Sequence, residues 1–389
     1  MRSVGLDLGA RHIAFCEIRD GAVIRKMSFR RLSELKAVLG PGAEPARVAF
    51  EACREGWHVH DQLTQWGHEP LMIDTTRVRR LGIGQHGRKN DAIDAEVIAL
   101  AVEQGRLPLA HVLSPARRKL RAKLSVRGEL VDMRARQVTL IRGLARAAGT
   151  PLPSSATTTF LKHVSEATLD SATRELIAPL VATLAVAEEQ IAALDAELAQ
   201  MVAKDPLVMI CASAPGVGVI VAASFVSVLD DAKRFRNADA VASYFGLAPS
   251  EATTGGPQNR RLGGITKQGN THARAMLVQA AWQIIRAASA DDPLRKWALQ
   301  LAARRGKKVA AIALARRLAT MLWAMCRDGT FYDPAALAKE SAKGFRENAQ
   351  QSELVDRAMT LIAKKLARRA APDLKRASVK KKTRPEAVA

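Results

Sequence analysis

Runs of apolar residues change period along the chain. Over the first hundred residues, SVGLDL, HIAFCEI, AVIRKMSF, ARVAFEA and PLMIDT have strand length, with helical spacing at 33–39, 58–66 and 91–103. Three strands in series, then helix, strand, helix, strand and helix, predict a mixed sheet flanked by helices, an α/β domain ending near residue 113. From SPARRKLRAKL onward the period is helical. Ser114 is placed to cap, and Pro115 to open, a long basic helix to about residue 148. After the turn-rich GTPLPSSATTTF, a second long helix carries Ile177, Leu180, Leu184, Ala187, Ile191, Leu194, Leu198 and Met201 at steps of three and four. This is a coiled-coil spacing. It fits a seam between two chains and a helix packed on its own chain equally well, and Pro179 weakens its first turn either way.

A third region begins at AKDPLVMICASAPGVGVIVAASFVSVL, two helices around a tight PGVG turn that resemble a helix-hairpin-helix. Gly216 and Gly218 would let the backbone approach a phosphate there, although a plain packing corner fits the same residues. A Gly-rich basic loop between two helices follows, then helix to about residue 326. The expected division is 1–113, an α/β domain; 114–203, long helices with a coiled-coil dimerisation region; 204–330, a mostly helical C-terminal domain; and 331–389, a helical and basic tail expected to be disordered.

Charge sharpens this picture. Across 389 residues, 60 Lys and Arg against 38 Asp and Glu leave a formal charge of +22, which favours a polyanionic partner, above all nucleic acid. Aromatic residues are only 4%, too few for platforms of stacked bases, so contacts to the phosphate backbone should dominate. No uninterrupted apolar stretch of membrane-spanning length is evident, and no membrane role is expected. Cys16, Cys53, Cys211 and Cys326 are far apart in sequence without CxxC pairs, which argues against a zinc site or disulfide scaffold. With a first strand that starts at once, they suit a reducing cytoplasm.

Candidate chemistry rests on four carboxylates. Asp7 and Glu51 each end an apolar strand, and Asp91 and Asp94 stand three apart at the start of a helix, on one face. Singly, each has an ordinary reading: solvated strand ends for the first two, and helix-dipole or capping residues for the pair. Together, in this strand and helix order, they can converge above the sheet. They would repel there unless divalent metal neutralised them, and two Mg²⁺ ions would also activate a phosphodiester.

This arrangement resembles the ribonuclease H-like fold in its RuvC-like version, and Asp7, Glu51 and Asp91-x-x-Asp94 resemble the signature of DEDD transposases of bacterial insertion sequences. RKNDAIDA is similar to that family's acidic-pair motif. PGVG, FRNADAVASYFGLAPSE, GGITKQGNTHAR and LVQAAW are similar to its C-terminal domain. The resemblance implies a DNA recombinase whose C-terminal domain supplies a Ser nucleophile, acting as dimers that pair into tetramers under an element-encoded guide RNA. Here GLAPSEATTGG puts Thr254 in the Ser position, with Thr253 beside it and Ser250 at the wrong offset. A Thr keeps the hydroxyl but crowds an in-line attack with its β-methyl. Arg88 and Lys89 are placed for the scissile strand, and Arg260, Arg261, Lys267 and Arg274 for phosphates near the hydroxyl. Gly255, Gly256, Gly263, Gly264 and Gly269 would admit the DNA backbone, and the basic helix after residue 115 would meet RNA or duplex. A RuvC-like endonuclease using water, and a decayed nucleic-acid-binding copy, are the alternatives. A sugar-kinase or actin-like ATPase is disfavoured because ARH, not a Ser or Thr phosphate loop, follows DLG.

Overall fold

Val4 and Leu6 alternate with Gly5 and Asp7 along the first strand, so this strand turns bulky apolar side chains to one face of the sheet and leaves space on the other. In the computed structural model, which describes residues 1–9, 11–77, 91–154, 157–252 and 261–335, the chain divides into two compact units, Met1–Leu113 and Ser114–Ala389.

The first unit is mixed α/β. Strands β1 (Arg2–Leu8), β2 (Ile13–Arg19), β3 (Ala22–Phe29), β4 (Ala46–Glu51) and β5 (Glu69–Ile73) form one sheet in the order β3-β2-β1-β4-β5. The first three strands are antiparallel neighbours; β4 and β5 join in parallel through helical crossovers. Helix was expected over 33–39. The chain instead makes a 3-10 turn, Leu32–Leu35, and one α turn, α1 (Lys36–Leu39), before Gly40 ends it. With α2 (Gly56–Gln65), these cover one face, where Val4, Leu6, Phe15, Val48 and Phe50 meet Leu35, Leu39, Val59 and Leu63. Helix α3 (Asp91–Glu103) covers the other, its Ala95, Ile98, Ala99 and Val102 packing on Ala14, Cys16, Ala49 and Ile73. At the end of the sheet away from the acids, Glu17, 2% exposed, takes hydrogen bonds from Arg2 at 2.8 and 3.1 Å and from Arg25 at 2.7 Å. Those bonds hold its carboxyl below the usual range even though burial pushes the other way.

The second unit opens with α4 (Pro115–Ala147), about 50 Å long at 1.5 Å per residue. Ser114 stands at its N-cap, yet its hydroxyl donates to Asp230 at 2.7 Å rather than accepting from the helix. From the end of the turn-rich stretch runs a helix the sequence pattern did not reveal, α5 (Thr157–Glu166). Helix α6 (Ser171–Val202) then runs back along α4. The coiled-coil seam is thus filled within the chain: Ile177, Leu184, Ala187, Ile191 and Leu198 are buried, and Met201 is exposed. Arg127 meets Asp195 at 2.6 Å and Arg134 meets Glu188 at 3.3 Å, with Lys123–Glu197 beside them. These α4 cations, expected to face nucleic acid, are spent on ion pairs. Because α6 starts at Ser171, capped by Asp170, Pro179 lies inside the helix and not at its first turn.

The remaining elements are α7 (Pro206–Ala212), α8 (Val219–Leu229), a 3-10 turn (Ala232–Arg234), α9 (Ala238–Tyr244), β6 (Pro249–Glu251), β7 (Leu262–Ile265), α10 (Thr271–Ala287), α11 (Pro293–Arg305) and α12 (Lys307–Asp328). Helices α8 and α12 form the middle of the core, with Phe225 stacked on Phe245 at 4.9 Å. Two thiols distant in sequence meet here, Cys211 and Cys326, with sulfurs 3.3 Å apart. The Gly-rich loop between helices turns out to contain a two-stranded antiparallel hairpin, β6–β7. By length and mean composition α6 and α12 would suffice to cross a membrane, but each apolar stretch is interrupted by charge, Glu188 and Glu189 in α6 and Arg316 and Arg317 in α12, as the sequence reading expects. Alanine-rich faces explain that composition, and more than half of the apolar window of α12 is buried in the core. The tail beyond residue 335 lies outside the described residues.

Candidate active site

In β1, alternation puts Gly5 and Asp7 on the face opposite Val4 and Leu6. Parallel pairing sets Gly5 against Ala49 and Leu6 against Phe50, so one more register step brings Asp7 level with Glu51. Both acids therefore stand at the C-terminal edge of adjacent strands, on the face that α3 covers. An ideal Cβ on Gly5 would lie 2.1 Å from the Ala95 carbonyl oxygen and 2.5 Å from the Ala99 nitrogen. One on Gly9 would lie 3.7 Å from Asp91 Oδ2. Hence α3 runs antiparallel to β1, with its first turn over the end of that strand. Asp91 and Asp94 extend the inward stripe of Ala95, Ile98, Ala99 and Val102 by one turn, and Asp94 is 9% exposed.

The four predicted acids thus share one face and one edge of the sheet. Their all-oxygen donor set suits a hard divalent cation. Among the described residues, however, no three His, Cys, Asp or Glu side chains are gathered closely enough to hold a metal ion. The fit is one of donor type and placement; the side chains are not drawn into a ligand set. Arg88 and Lys89 lie outside the described residues.

In the second unit the hairpin brackets the expected nucleophile. Ala252 N donates to the Arg261 carbonyl at 3.0 Å, and Thr253, Thr254, Gly255, Gly256 and Arg260, between those positions, lie outside the described residues. Ser250 Oγ donates to the Gly264 carbonyl at 2.9 Å and so stitches the two strands. Arg261 and Lys267 are exposed, the latter in a left-handed turn with φ 57°. Arg274 is half-buried and bonds the Phe245 carbonyl and the Thr271 hydroxyl, both at 3.4 Å, a tie inside the fold and not a free phosphate clamp. Gly264 and Gly218 face open space. Three of the glycines have close neighbours. A Cβ on Gly216 would meet Ile284 at 2.7 Å, on Gly263 the Ser250 hydroxyl at 2.5 Å, and on Gly269 the Tyr244 carbonyl at 2.3 Å. Backbone atoms crowd Gly216 and Gly269, so packing accounts for those two, whereas the Ser250 hydroxyl beside Gly263 is a side-chain end that can turn away. His272, opening α10, was not singled out by sequence. Its Nε2 is 3.3 Å from Ser224 Oγ, and burial, then the nearby Arg127, lowers its pKa.

Residues 4–148 match the DEDD transposase model of IS110 elements, and residues 209–295 match the model described as transposase IS116/IS110/IS902 family. A probable family 20 transposase of Pseudomonas aeruginosa is 31% identical over 297 residues, covering 75% of this chain and 86% of its own. The chain belongs to the IS110 family of DEDD-type insertion-sequence transposases. The transposase of element IS1328 of Yersinia enterocolitica is 28% identical over 339 residues, 85% of this chain and 98% of its own. That of IS1111A of Coxiella burnetii is 25% identical over 332 residues, 84% and 89% of the two chains. This transposase is accordingly an enzyme that cuts and rejoins DNA, and DNA is its substrate. The DEDD match spans all four acids, and the second match spans the hairpin and the PGVG turn.

Proposed function

We propose that the transposase breaks and reseals DNA strands with Asp7, Glu51, Asp91 and Asp94 as ligands to Mg²⁺, and with Thr254 as the attacking hydroxyl. The observation that carries the reading is the placement of Asp7 and Glu51 on adjacent parallel strands beneath the first turn of α3, which bears the other two acids. The sheet order, three antiparallel strands followed by two parallel ones, supports a ribonuclease H-like, RuvC-like assignment for 1–113. Residues 114–203 form its helical arm, 204–330 its nucleophile domain and 331–389 its tail.

Bound Mg²⁺ would polarise the scissile phosphate and offset its charge. The carboxylates orient that phosphate, and without a counter-charge they would repel it. Thr254 Oγ1 forms a bond to phosphorus as the strand's own P–O bond breaks. One DNA end is thereby held on the protein and a free hydroxyl is left on the other; attack by a hydroxyl of the new partner strand reverses the step. Arg88, Lys89, Arg260, Arg261 and Lys267 hold the strand's phosphates. An element-encoded guide RNA selects donor and target, and the enzyme works as dimers that pair into tetramers in the bacterial cytoplasm.

The test is excision from a donor plasmid carrying the native element and its flanks, with circular junctions detected by PCR. Wild type forms junctions, Thr254→Ala and Asp91→Ala form at least a hundredfold fewer, and Thr254→Ser equals or exceeds wild type. Junctions at wild-type level from Thr254→Ala would reassign the nucleophile, and cleavage without rejoining in that variant would favour water.

A further inference from the structure

Helices α11 and α12 are joined by a single residue, Gly306, at φ 86°, and the corner carries Arg304, Arg305, Lys307 and Lys308. All four are exposed, and none has a hydrogen-bonded or ion-paired side chain among the described residues. No Asp or Glu occurs in the sequence from residue 293 to 327. The contrast with α4 is direct, since there Arg127, Arg134 and Lys123 each face an acid of α6. Arg304 and Arg305 suit the C-terminal end of α11 on stability grounds alone. Lys307 and Lys308 do not: they occupy the first turn of α12, where the helix dipole disfavours cations, and no acid shares that turn. The corner is also held stiffly, because α12 continues at once into buried Ala310, Ala311 and Leu314.

We propose that this corner of the second unit, formed by none of the acids and none of the β6–β7 hairpin residues, is a docking surface for the phosphate backbone of duplex DNA. Four adjacent cations that lack an internal partner, two of them placed against their own helix, call for an external polyanion, and DNA is this enzyme's substrate. Duplex is favoured over an unpaired strand because the exposed apolar neighbours, Leu299 and Val309, are aliphatic and offer no stacking surface. Trp297, the aromatic residue on α11, lies under Arg317 at 5.0 Å.

The experiment measures binding of the full-length chain to a random-sequence 30-base-pair duplex and to a 30-nucleotide single-stranded RNA, across a salt series in EDTA, beside thermal melts. Without divalent metal no step of the proposed chemistry is read, so failure of the carboxylate reading leaves this result intact. Lys307→Gln/Lys308→Gln weakens duplex binding about tenfold near physiological salt and flattens the log–log salt slope by about 2, as expected for two lost phosphate contacts. The same variant melts higher than wild type, because it removes two unfavourably placed charges. Changing Arg304 and Arg305 to Gln as well flattens the slope by about 4 in all. An unchanged duplex affinity and slope would overturn the proposal, as would a loss confined to RNA, or weaker binding accompanied by a lower melting temperature.

Discussion

A methyl group at Gly5 would have to occupy the space of the α3 backbone, 2.1 Å from the Ala95 carbonyl oxygen. Neither neighbour is a flexible side-chain end, so the helix itself must lift. Gly5→Ala should therefore destabilise the first unit by about 3 kcal/mol, at the upper end of ordinary overpacking. It should also tilt Asp91 and Asp94 away from the strands, so excision falls more than stability alone explains. Denaturant melts of the variant beside plasmid excision at low temperature check this; a loss below 1 kcal/mol with normal excision would show that α3 is not seated by this contact. Sequence marks Gly5 only as a small residue in an apolar run, because the reason for it arrives from a helix ninety residues later. The same limit applies to Gly216 and Gly269, which looked like room for DNA and are crowded by Ile284 and by the Tyr244 carbonyl. The acids were legible because each breaks an apolar pattern at an element's end; a glycine carries no such mark.

Among the elements, α6 shows what periodicity delivers and omits. Its seam was readable residue by residue, and the partner was not, since α4 and a second chain offer the same complementary face. Ion pairs from Arg127 and Arg134 to Asp195 and Glu188 now identify α4 as that partner. The β6–β7 hairpin was missed because strands of three and four residues are too brief to show a period, and α5 because its first turn lies in the Ser- and Thr-rich end of the break. Pro179, read as a first-turn residue, sits eight residues beyond Ser171, where it deprives the Glu175 carbonyl of a donor. Interior proline costs a helix about 3 kcal/mol, and the looser unfolded chain after its removal returns up to about 1. Pro179 is exposed, so the change leaves no cavity. Pro179→Ala should stabilise the second unit by about 2 kcal/mol and slow amide exchange over the first half of α6. Destabilisation would mean that the helix needs its bend there.

For the whole molecule, the two units have separate cores: Leu6, Phe15, Val48 and Phe50 anchor the first, and Phe225, Leu277, Leu314 and Leu318 the second. Chains built this way depart from a single two-state transition, so calorimetry should resolve two. All four proposed metal ligands lie in the first unit, and a ligand that binds only the folded state stabilises that state by RT ln(1 + [L]/Kd), about 2.7 kcal/mol at a hundredfold excess over Kd. For a unit of this size that is a rise on the order of 10 °C. Mg²⁺ should therefore raise one transition and leave the other in place, when compared with NaCl at equal ionic strength so that screening of the +22 charge cancels. Asp91→Asn, which removes one carboxylate from the exposed end of α3, should abolish the Mg²⁺ shift. Its melting point without metal is measured beside it as the baseline for that shift. Equal shifts of both transitions, or a shift that survives Asp91→Asn, would mean that the carboxylates do not form the metal site and that their shared face has another use.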